Sequence, residues 1–233
     1  MSVKMCGRFE QSETRLHYAR ALLPDAPEYK WGGGDTLPQY NISPGRPVLA
    51  LQMLKGQFDS DRLTWGYRTP QENRKPWINA RIEKALSGRY FRHMFREGRV
   101  IIPGGGWFEW TVEDGKKQPW YITRRNGQPI FMAGITNLKS FARQAVEVGT
   151  VIVTEDCDGG MVDIHDRRPV VLEPDDALRW LDMETSVEEA AHIAQLRSIP
   201  TEEFMWWKVD RVVNRSDPSN SGKHLLAPMS ESR

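Results

Sequence analysis

The sequence predicts an α+β fold with mostly antiparallel strand pairing. Strand candidates dominate the middle of the chain, helix candidates lie toward its two ends, and the two types do not alternate regularly. A doubly wound parallel sheet needs that regular alternation, so it is not expected. With 233 residues, the chain is expected to form a single domain with a conventional hydrophobic core.

Helices are predicted where apolar residues recur at helical spacing near a capping residue, over residues 12–23, 84–95, 175–183 and 186–197. Ser12 is the expected N-cap of the first helix, which ends before Pro24. The second helix is expected to break at the Ser-Gly pair of residues 87–88. Ser186 and Glu189 have capping-box spacing at the start of the fourth helix.

Strands are predicted by short apolar runs between turn signals, over residues 48–53, 63–67, 99–103, 107–112, 120–123, 129–136, 149–154 and 206–213. Residues 24–47 are rich in Pro and Gly and are expected to form a long loop. Gly104-Gly105-Gly106 is expected to form the turn between two strands.

The composition excludes several classes of protein. Cys6 and Cys157 are the two cysteines of the chain, too few for a disulfide-rich scaffold and without Cys-x-x-Cys spacing for zinc. The five His show no ligand spacing, so neither a metal nor a cofactor is expected. No apolar run approaches the ~18 residues of a membrane span, and the first residues do not resemble a signal peptide. A cytoplasmic protein (nucleoid-associated if bacterial) with no membrane partner is therefore expected.

The net charge of +1 hides a strong division along the chain. Residues 62–146 hold 16 basic and 6 acidic side chains, a balance of +10, whereas residues 147–204 hold 4 and 15, a balance of −11. Such asymmetry is typical of a polyanion-binding face beside an acidic back. The alternative is a solvated surface on which the two signs interleave after folding.

Cys6 follows a second methionine, Met5. If translation starts at Met5 and that residue is removed, Cys6 acquires a free α-amine beside its thiol. Groups with ordinary pKa values of about 8 and 8.5 are partly nucleophilic near neutral pH. A 1,2-aminothiol condenses with an aldehyde through a Schiff base to a thiazolidine, so an aldehyde is a candidate substrate.

Three further elements carry polar groups suited to chemistry. In an extended segment, Glu109 and Trp107 point to one face, where indole rings would desolvate the carboxylate and favour its neutral form for acid/base work. Asn79 and Arg81 would likewise share one face and could hold a phosphodiester. His165 is flanked by two acids and followed by a double Arg that offers anion contacts. A P-loop is excluded because no Gly-Lys-Ser/Thr follows the glycines.

Six segments in the same order resemble the SOS-response-associated peptidase (SRAP) family, abasic-site processing proteins that crosslink to single-stranded DNA. They are residues 5–9, 40–45, 78–83, 106–110, 153–154 and 164–169, and the resemblance runs from Cys6 to about Pro228. It implies a single domain with a barrel-like β core flanked by short helices. It also implies a monomer that acts on abasic sites in single-stranded DNA.

The resemblance implies a role for each matching residue. Cys6 would form a thiazolidine with the ring-opened abasic sugar, and Asn79 would orient its amine. Glu109 would be the acid/base, and His165 would contact the sugar hydroxyl and the 3′ phosphate. The expected DNA contacts are Arg8, Arg81, Arg89 and the base-stacking Trp110. Family proteins are also linked to autoproteolytic removal of the initiator Met and to lyase activity at abasic sites.

The sequence departs from the family in two places. Residues 1–5 precede Cys6 and form an expected extension, absent from the active form, before a catalytic domain over residues 6–228 and a tail over 229–233. Residues 71–75 stand where the family often has aromatic residues, a contribution that Trp77 could supply. Two alternatives stay open: a cysteine peptidase that uses Cys6 and His165 without a DNA role, and a DNA-binding module with a degenerate site.

Overall fold

A computed structural model describes residues 7–26, 38–54, 56–68, 75–137, 148–217 and 219–229. Within these residues, thirteen strands are present: β1 (Arg8–Gln11), β2 (Gln39–Ile42), β3 (Pro47–Leu54), β4 (Gln57–Trp65), β5 (Asn79–Arg81), β6 (Arg99–Gly104), β7 (Gly106–Glu113), β8 (Lys116–Arg124), β9 (Ile130–Thr136), β10 (Gly149–Asp156), β11 (Arg167–Pro169), β12 (Val171–Leu172) and β13 (Phe204–Lys208). Residues 1–5, the expected extension, lie outside the described part, as do residues 230–233 of the expected tail.

Five α-helices accompany the strands in the described part: α1 (Arg15–Leu22), α2 (Ile82–Ser87), α3 (Arg92–Glu97), α4 (Pro174–Leu181) and α5 (Val187–Leu196). Four short 3-10 helices follow β10 and the later elements: Gly159–Asp163, Thr201–Glu203, Arg211–Asn214 and Lys223–Leu226. None of the helices in the described ranges is both long and apolar enough to cross a membrane.

The strands form a barrel and a second sheet. In the barrel β10, β4, β3, β6 and β9 follow one another, and β9 pairs back to β10 to close the ring. β11, β12 and β5 extend it, with β5 and β4 parallel to β10. The other ladders in the described part of the chain are antiparallel. The predicted α+β fold with a barrel-like, mostly antiparallel core is therefore confirmed.

The second sheet packs against the barrel and has the strand order β13-β8-β7-β1-β2. A hydrophobic cluster joins the two, with Phe9 and Trp107 from the second sheet against Trp65 and Ile152 from the barrel. A larger cluster joins the barrel to the helices, and the indole of Trp180 on α4 is fully buried within it. The interface between the barrel and the second sheet is therefore a packed hydrophobic layer.

Several predicted elements are confirmed and others are wrong. The predicted break at residues 87–88 separates α2 from α3, and Ser186 caps α5 by accepting a hydrogen bond from the Glu189 amide at 3.1 Å. α1 is capped by Thr14 and not by Ser12, because the Thr14 hydroxyl accepts from the His17 amide at 3.1 Å. Within the predicted loop of residues 24–47, β2 forms through its pairing with β1. The predicted final strand ends at Lys208, and a 3-10 helix follows it.

Candidate active site

Glu109 lies in the middle of β7 on the face that packs toward the barrel. Strand alternation places it on the same face as Trp107, as the sequence predicts, and its cross-strand neighbour on β8 is Trp120. The Glu109 side chain is 1% exposed. An acid buried next to indole rings is poorly hydrated, which suits a group that must hold and release a proton.

The triple glycine lets β1 pass close to the turn between β6 and β7. A Cβ on Gly104 would lie 2.6 Å from the Glu10 carbonyl oxygen, and a Cβ on Gly105 would overlap the Glu10 carboxylate. A Cβ on Gly106 would collide with the Ile122 carbonyl. These glycines therefore allow the chain to cross from the barrel to the second sheet while β1 packs beside it.

Asn79 and Arg81 enter the site from β5, which runs parallel to β10. Asn79 is in register with Ile152 and Arg81 with Thr154, and the extended strand places the two side chains on one face. Asn79 is half-buried and Arg81 is exposed. The strand therefore presents an amide to the interior and a cation to the surface.

His165 lies in the turn before β11 and is 6% exposed. Its Nδ1 accepts a hydrogen bond from the Arg167 amide at 3.0 Å and lies 3.0 Å from Asp166 Oδ1. When Nδ1 accepts from that amide, the neutral ring holds its proton on Nε2, and in the imidazolium Nε2 is also protonated. Nε2 is buried and has no hydrogen-bond partner among the described residues, so it is a donor available to a substrate.

The double Arg that follows His165 is engaged within the chain. Arg167 pairs with Asp156 and donates to the Thr154 carbonyl at 2.9 Å. Arg168 lies 3.1 Å from Glu155 and donates to the Ile199 carbonyl at 2.7 Å. Both arginines are buried and hold the His165 turn against β10. The sequence predicted instead that they would contact an anion.

Cys157 lies between the His165 turn and the interface of the two sheets, a position that the sequence did not predict. Its amide donates to the Asp166 carbonyl at 2.9 Å, and its side chain packs on the same cluster as Phe9, Trp107 and Ile78. Burial, with a smaller contribution from the charge of Glu109, raises the pKa of the thiol to about 12. Cys157 is therefore protonated near neutral pH and a poor nucleophile, and it packs in the cluster as a small apolar side chain.

Arg8 and Trp110 lie on the opposite face of the second sheet from Glu109. The Arg8 guanidinium lies 5.8 Å from the centroid of the Trp110 ring and donates to Asn41 Oδ1 at 2.6 Å. It also donates to the Val213 carbonyl at 2.9 Å, and burial lowers the pKa of Arg8. The Trp110 indole donates to Asn214 Oδ1 at 2.6 Å. This pair fastens the C-terminal segment to β1 and β7.

Arg89 lies in the turn between α2 and α3 beside an aromatic group. Its guanidinium is 5.9 Å from the Tyr90 ring centroid, and the Tyr90 ring is 5.0 Å from that of Trp77. Both rings are half-buried. Trp77 therefore lies next to a predicted phosphate contact, where it can supply an aromatic surface.

Cys6 lies outside the described residues, and β1 begins two residues after it. Arg8 pairs with Phe108, the neighbour of Glu109, so the start of β1 adjoins the part of β7 that holds the acid. In the described ranges, no three His, Cys, Asp or Glu side chains cluster in a way that could hold a metal ion. Phe9, Trp107, Ile78 and Cys157 share one hydrophobic cluster, and the Cys157 amide donates to the carbonyl of Asp166 beside His165. The elements that carry Glu109, Asn79 and His165 therefore meet at the interface between the sheets, whereas Arg8 and Trp110 lie on the other face.

Comparisons with known proteins give a consistent result. The family described as SOS response associated peptidase (SRAP) matches residues 5–216. The abasic site processing protein YedK of Escherichia coli is 41% identical over 225 residues, which cover 97% of this chain and 100% of that protein. The abasic site processing protein YoaM of Bacillus subtilis is 27% identical over 83% of this chain and 86% of its own. A solved structure, a phage-related protein from Bordetella bronchiseptica, has a TM-score of 0.76 and 34% identity over 88% of this chain and 95% of its own.

Proposed function

This chain belongs to the SOS response associated peptidase (SRAP) family, and from that membership we propose that it processes abasic sites in DNA. Two of its relatives are named for that activity. The observation that supports the proposal most is that the elements carrying Glu109, Asn79 and His165 share a hydrophobic cluster with Phe9 of β1, the strand that begins two residues after Cys6.

Cys6 supplies the reacting groups in this proposal, in a form of the protein where it is the first residue. Its α-amine attacks the aldehyde carbon of the ring-opened abasic sugar, and loss of one water gives a Schiff base. The thiol then adds to the C=N carbon and its proton passes to the nitrogen, which closes a thiazolidine. One aldehyde and one aminothiol thus give one ring and one water, and both DNA phosphodiesters stay intact. The amine is exposed if translation begins at Met5 and that residue is removed, the step linked to the family, or if residues 1–5 are cleaved off.

Glu109 moves the protons that these steps require. In its neutral form it protonates the hydroxyl that leaves as water during Schiff-base formation. As a carboxylate it accepts the thiol proton before ring closure. Its position on a buried strand beside Trp107 and Trp120 holds it in place and restricts water, two conditions that favour general acid/base catalysis.

Asn79 and His165 orient the sugar. The Asn79 amide offers both a donor and an acceptor, which suits it to hold the amine of Cys6 and a sugar oxygen together. His165 donates from Nε2 to the sugar hydroxyl and the phosphate on its 3′ side, because its Nδ1 accepts a hydrogen bond from the Arg167 amide and the proton of the neutral ring is then on Nε2. The substrate is single-stranded DNA. Without a partner strand, its abasic sugar is accessible and can enter the interface between the sheets.

The DNA strand is held outside the reacting centre by cations and aromatic rings. Arg81 and Arg89 are exposed and bind phosphates. Trp77 offers a half-buried indole face on which bases stack without regard to sequence. Arg8 and Trp110, which contact each other on the other face of the second sheet, hold the C-terminal segment in place.

The test uses protein whose first residue is verified as Cys6 and single-stranded DNA that carries one abasic site. We expect an adduct that survives denaturant and heat. Cys6→Ala should form none, and Cys6→Ser should form at most a Schiff base that borohydride traps, because its hydroxyl is a much weaker nucleophile for ring closure. Equal amounts of stable adduct from Cys6→Ser and the parent protein would rule out the thiazolidine. Cleavage of peptides without any adduct would instead identify a cysteine peptidase.

A further inference from the structure

A polar pocket opens near β1 at the outer edge of the second sheet. The reaction proposed above does not use this pocket. It has a volume of about 430 Å³ and lies between β2, the turn before β3, β4 and the C-terminal loop. We call it the junction pocket, because its walls come from both sheets. Its lining includes Asn41 and Ser43 of the β2 region, Arg46, Arg62 of β4, and Ser221.

Two arginines give the junction pocket a positive charge. Arg46 and Arg62 are both exposed, and among the described residues neither guanidinium has an ion pair or a hydrogen bond. One acid, Asp217, also lines the pocket, and its carboxylate accepts hydrogen bonds from the amide and the hydroxyl of Ser219 at 2.8 Å. Two free cations against one hydrogen-bonded carboxylate favour an anionic ligand.

The remaining lining completes a donor set that suits phosphate. Ser43 and Ser221 offer hydroxyl donors, whereas the Asn41 amide already donates to the Arg215 carbonyl at 3.0 Å. One guanidinium group can donate two parallel hydrogen bonds to two oxygens of a phosphate, and hydroxyl groups can donate hydrogen bonds to the remaining oxygens. The volume falls in the range of small-ligand sites, roughly 300–1,000 Å³, so it admits a phosphate with its attached sugar.

The junction pocket is connected directly to the strand that carries the reacting end of the chain. Asn41 Oδ1 accepts a hydrogen bond from Arg8 at 2.6 Å, and Ile42 is in register with Phe9. β2 is the edge strand of its sheet, and beyond it lies the C-terminal loop, whose Ser221 hydroxyl accepts a hydrogen bond from the Tyr40 amide at 3.2 Å. A DNA strand with its abasic sugar near the start of β1 would therefore reach the junction pocket between β2 and this loop.

We propose that the junction pocket binds a backbone phosphate of the DNA strand beyond the abasic nucleotide, with Arg46 and Arg62 as its cationic ligands. This inference rests on the proposed function and extends it, because it adds a second phosphate site on the side of β1 away from Arg81 and Arg89. The pocket fixes the position of the strand and takes no part in bond formation.

The test compares the parent protein with the double variant R46Q/R62Q on single-stranded DNA of about 20 nucleotides. The DNA carries a tetrahydrofuran abasic analogue, which has no aldehyde, so that binding is measured without crosslinking. We expect about tenfold weaker binding near 0.1 M salt and a salt slope smaller by about 0.7, since one lost single-strand phosphate contact releases about 0.7 fewer counterions. R197Q at the end of α5 is the matched control and should bind like the parent.

The adduct with a true abasic site separates this inference from the proposed function. The double variant should reach the parent's maximal crosslinking rate at saturating DNA, with a higher half-saturating concentration. Parent-like affinity and salt slope in R46Q/R62Q would overturn the inference while the adduct still forms. Binding of inorganic phosphate or thymidine monophosphate that is lost in the variant, with unchanged DNA binding, would overturn it in favour of a free-nucleotide site. If the parent forms no adduct, the proposed chemistry fails, and the salt slopes on the uncrosslinked strand still decide the pocket.

Discussion

At the scale of single residues, Glu109 shows most clearly how the fold prepares a side chain for chemistry. A carboxylate on a surface strand exchanges protons with water, whereas Glu109 is 1% exposed on a strand between two tryptophans. Glu113 lies on the same face four residues further along, half-buried, with Lys208 2.8 Å from it. The strand therefore offers an interior and a peripheral carboxylate on the same face for comparison.

Glu109→Gln should slow adduct formation by about 10²–10⁴-fold, the usual contribution of a general acid/base, and change DNA affinity by less than about threefold. The amide keeps the shape of the acid but cannot transfer the proton. Single-turnover rates on abasic DNA, together with binding to the tetrahydrofuran analogue, measure the two effects. Glu113→Gln is the control and should leave both unchanged. A larger effect on affinity than on rate would make Glu109 a binding residue.

Glu10 is a second buried acid, and unlike Glu109 it has no part in the proposed reaction. Its Oε1 accepts a hydrogen bond from the Tyr121 hydroxyl at 3.1 Å, and burial raises the pKa of its carboxyl above the ordinary value of 4.5. The folded state therefore favours the protonated acid. The stability that this form provides is complete below pH 4.5 and is lost as the pH rises through the higher folded-state pKa.

Glu10→Gln should remove that pH dependence. The free energy of unfolding of the variant, relative to the parent, should increase between pH 4 and pH 8 by about 1.4 kcal/mol for each pH unit that separates the folded and unfolded pKa values. Urea denaturation across this range measures the difference. The exposed Glu83→Gln on α2 serves as the control with a flat difference, and an equally flat difference for Glu10→Gln would show that burial of this carboxyl does not shift its pKa.

At the scale of elements, close packing explains why three glycines follow one another at residues 104–106, because a larger side chain at these positions would collide with neighbouring strands. Gly104 and Gly105 both face Glu10, but a Cβ on Gly104 meets its backbone carbonyl, whereas a Cβ on Gly105 meets its carboxylate. A backbone atom in a paired strand cannot move aside, and a side chain can be truncated. The two positions should therefore respond differently to changes at Glu10.

Gly105→Ala should destabilise the protein by about 1–3 kcal/mol, the usual cost of overpacking, and Glu10→Ala should relieve most of that cost in the double variant. Gly104→Ala should cost at least as much and should not be relieved by Glu10→Ala. Denaturation of the three single variants, the two double variants and the parent gives the two coupling energies. Similar coupling at both positions would show that the carboxylate is not the obstacle at Gly105.

The elements also show what sequence reasoning could and could not determine. The two faces of β7 and the cap of α5 follow from local rules, because alternation and Ser-x-x-Glu spacing act within a few residues. The start of α1 was misjudged because Ser12 and Thr14 are both good caps, and the choice depends on tertiary packing. β5, β11 and β12 have two or three residues each and exist through their pairing with β9 and β10.

The same limit applied to the candidate site. Glu109, Asn79 and His165 were identified from the residues and from the family resemblance, but their approach to β1 depends on strand pairing between distant segments. The position of Cys157 beside Glu109 and the junction pocket depend on the contact of the two sheets, which local patterns do not encode.

At the scale of the whole molecule, a net charge of +1 conceals the surface that DNA would meet. Some of the charge in the basic stretch of residues 62–146 is internal: Arg99 donates to the Trp180 carbonyl at 2.8 Å, and Arg124 lies 2.6 Å from Glu173. Arg81 and Arg89 are exposed, as a phosphate contact must be. Local exposed charge therefore predicts DNA binding better than the total.

Arg81→Gln and Arg89→Gln should each weaken DNA binding irrespective of base sequence and reduce the salt slope by about 0.7. Binding isotherms at several salt concentrations measure the slope. Arg179→Gln on α4, whose side chain pairs with Glu189 in the acidic stretch, should leave it unchanged. An unchanged slope in either variant would remove that arginine from the path of the strand.

The central claim is that the free amine of Cys6 traps the aldehyde of an abasic site. The most direct measurement is the intact mass of the product formed from abasic single-stranded DNA by two proteins: one that begins at Cys6 and one that retains residues 1–5. We expect a denaturant-resistant adduct for the first, with the summed mass less one water, and none for the second as long as its N-terminus stays intact. An equally stable adduct from the protein that verifiably retains residues 1–5 would contradict it.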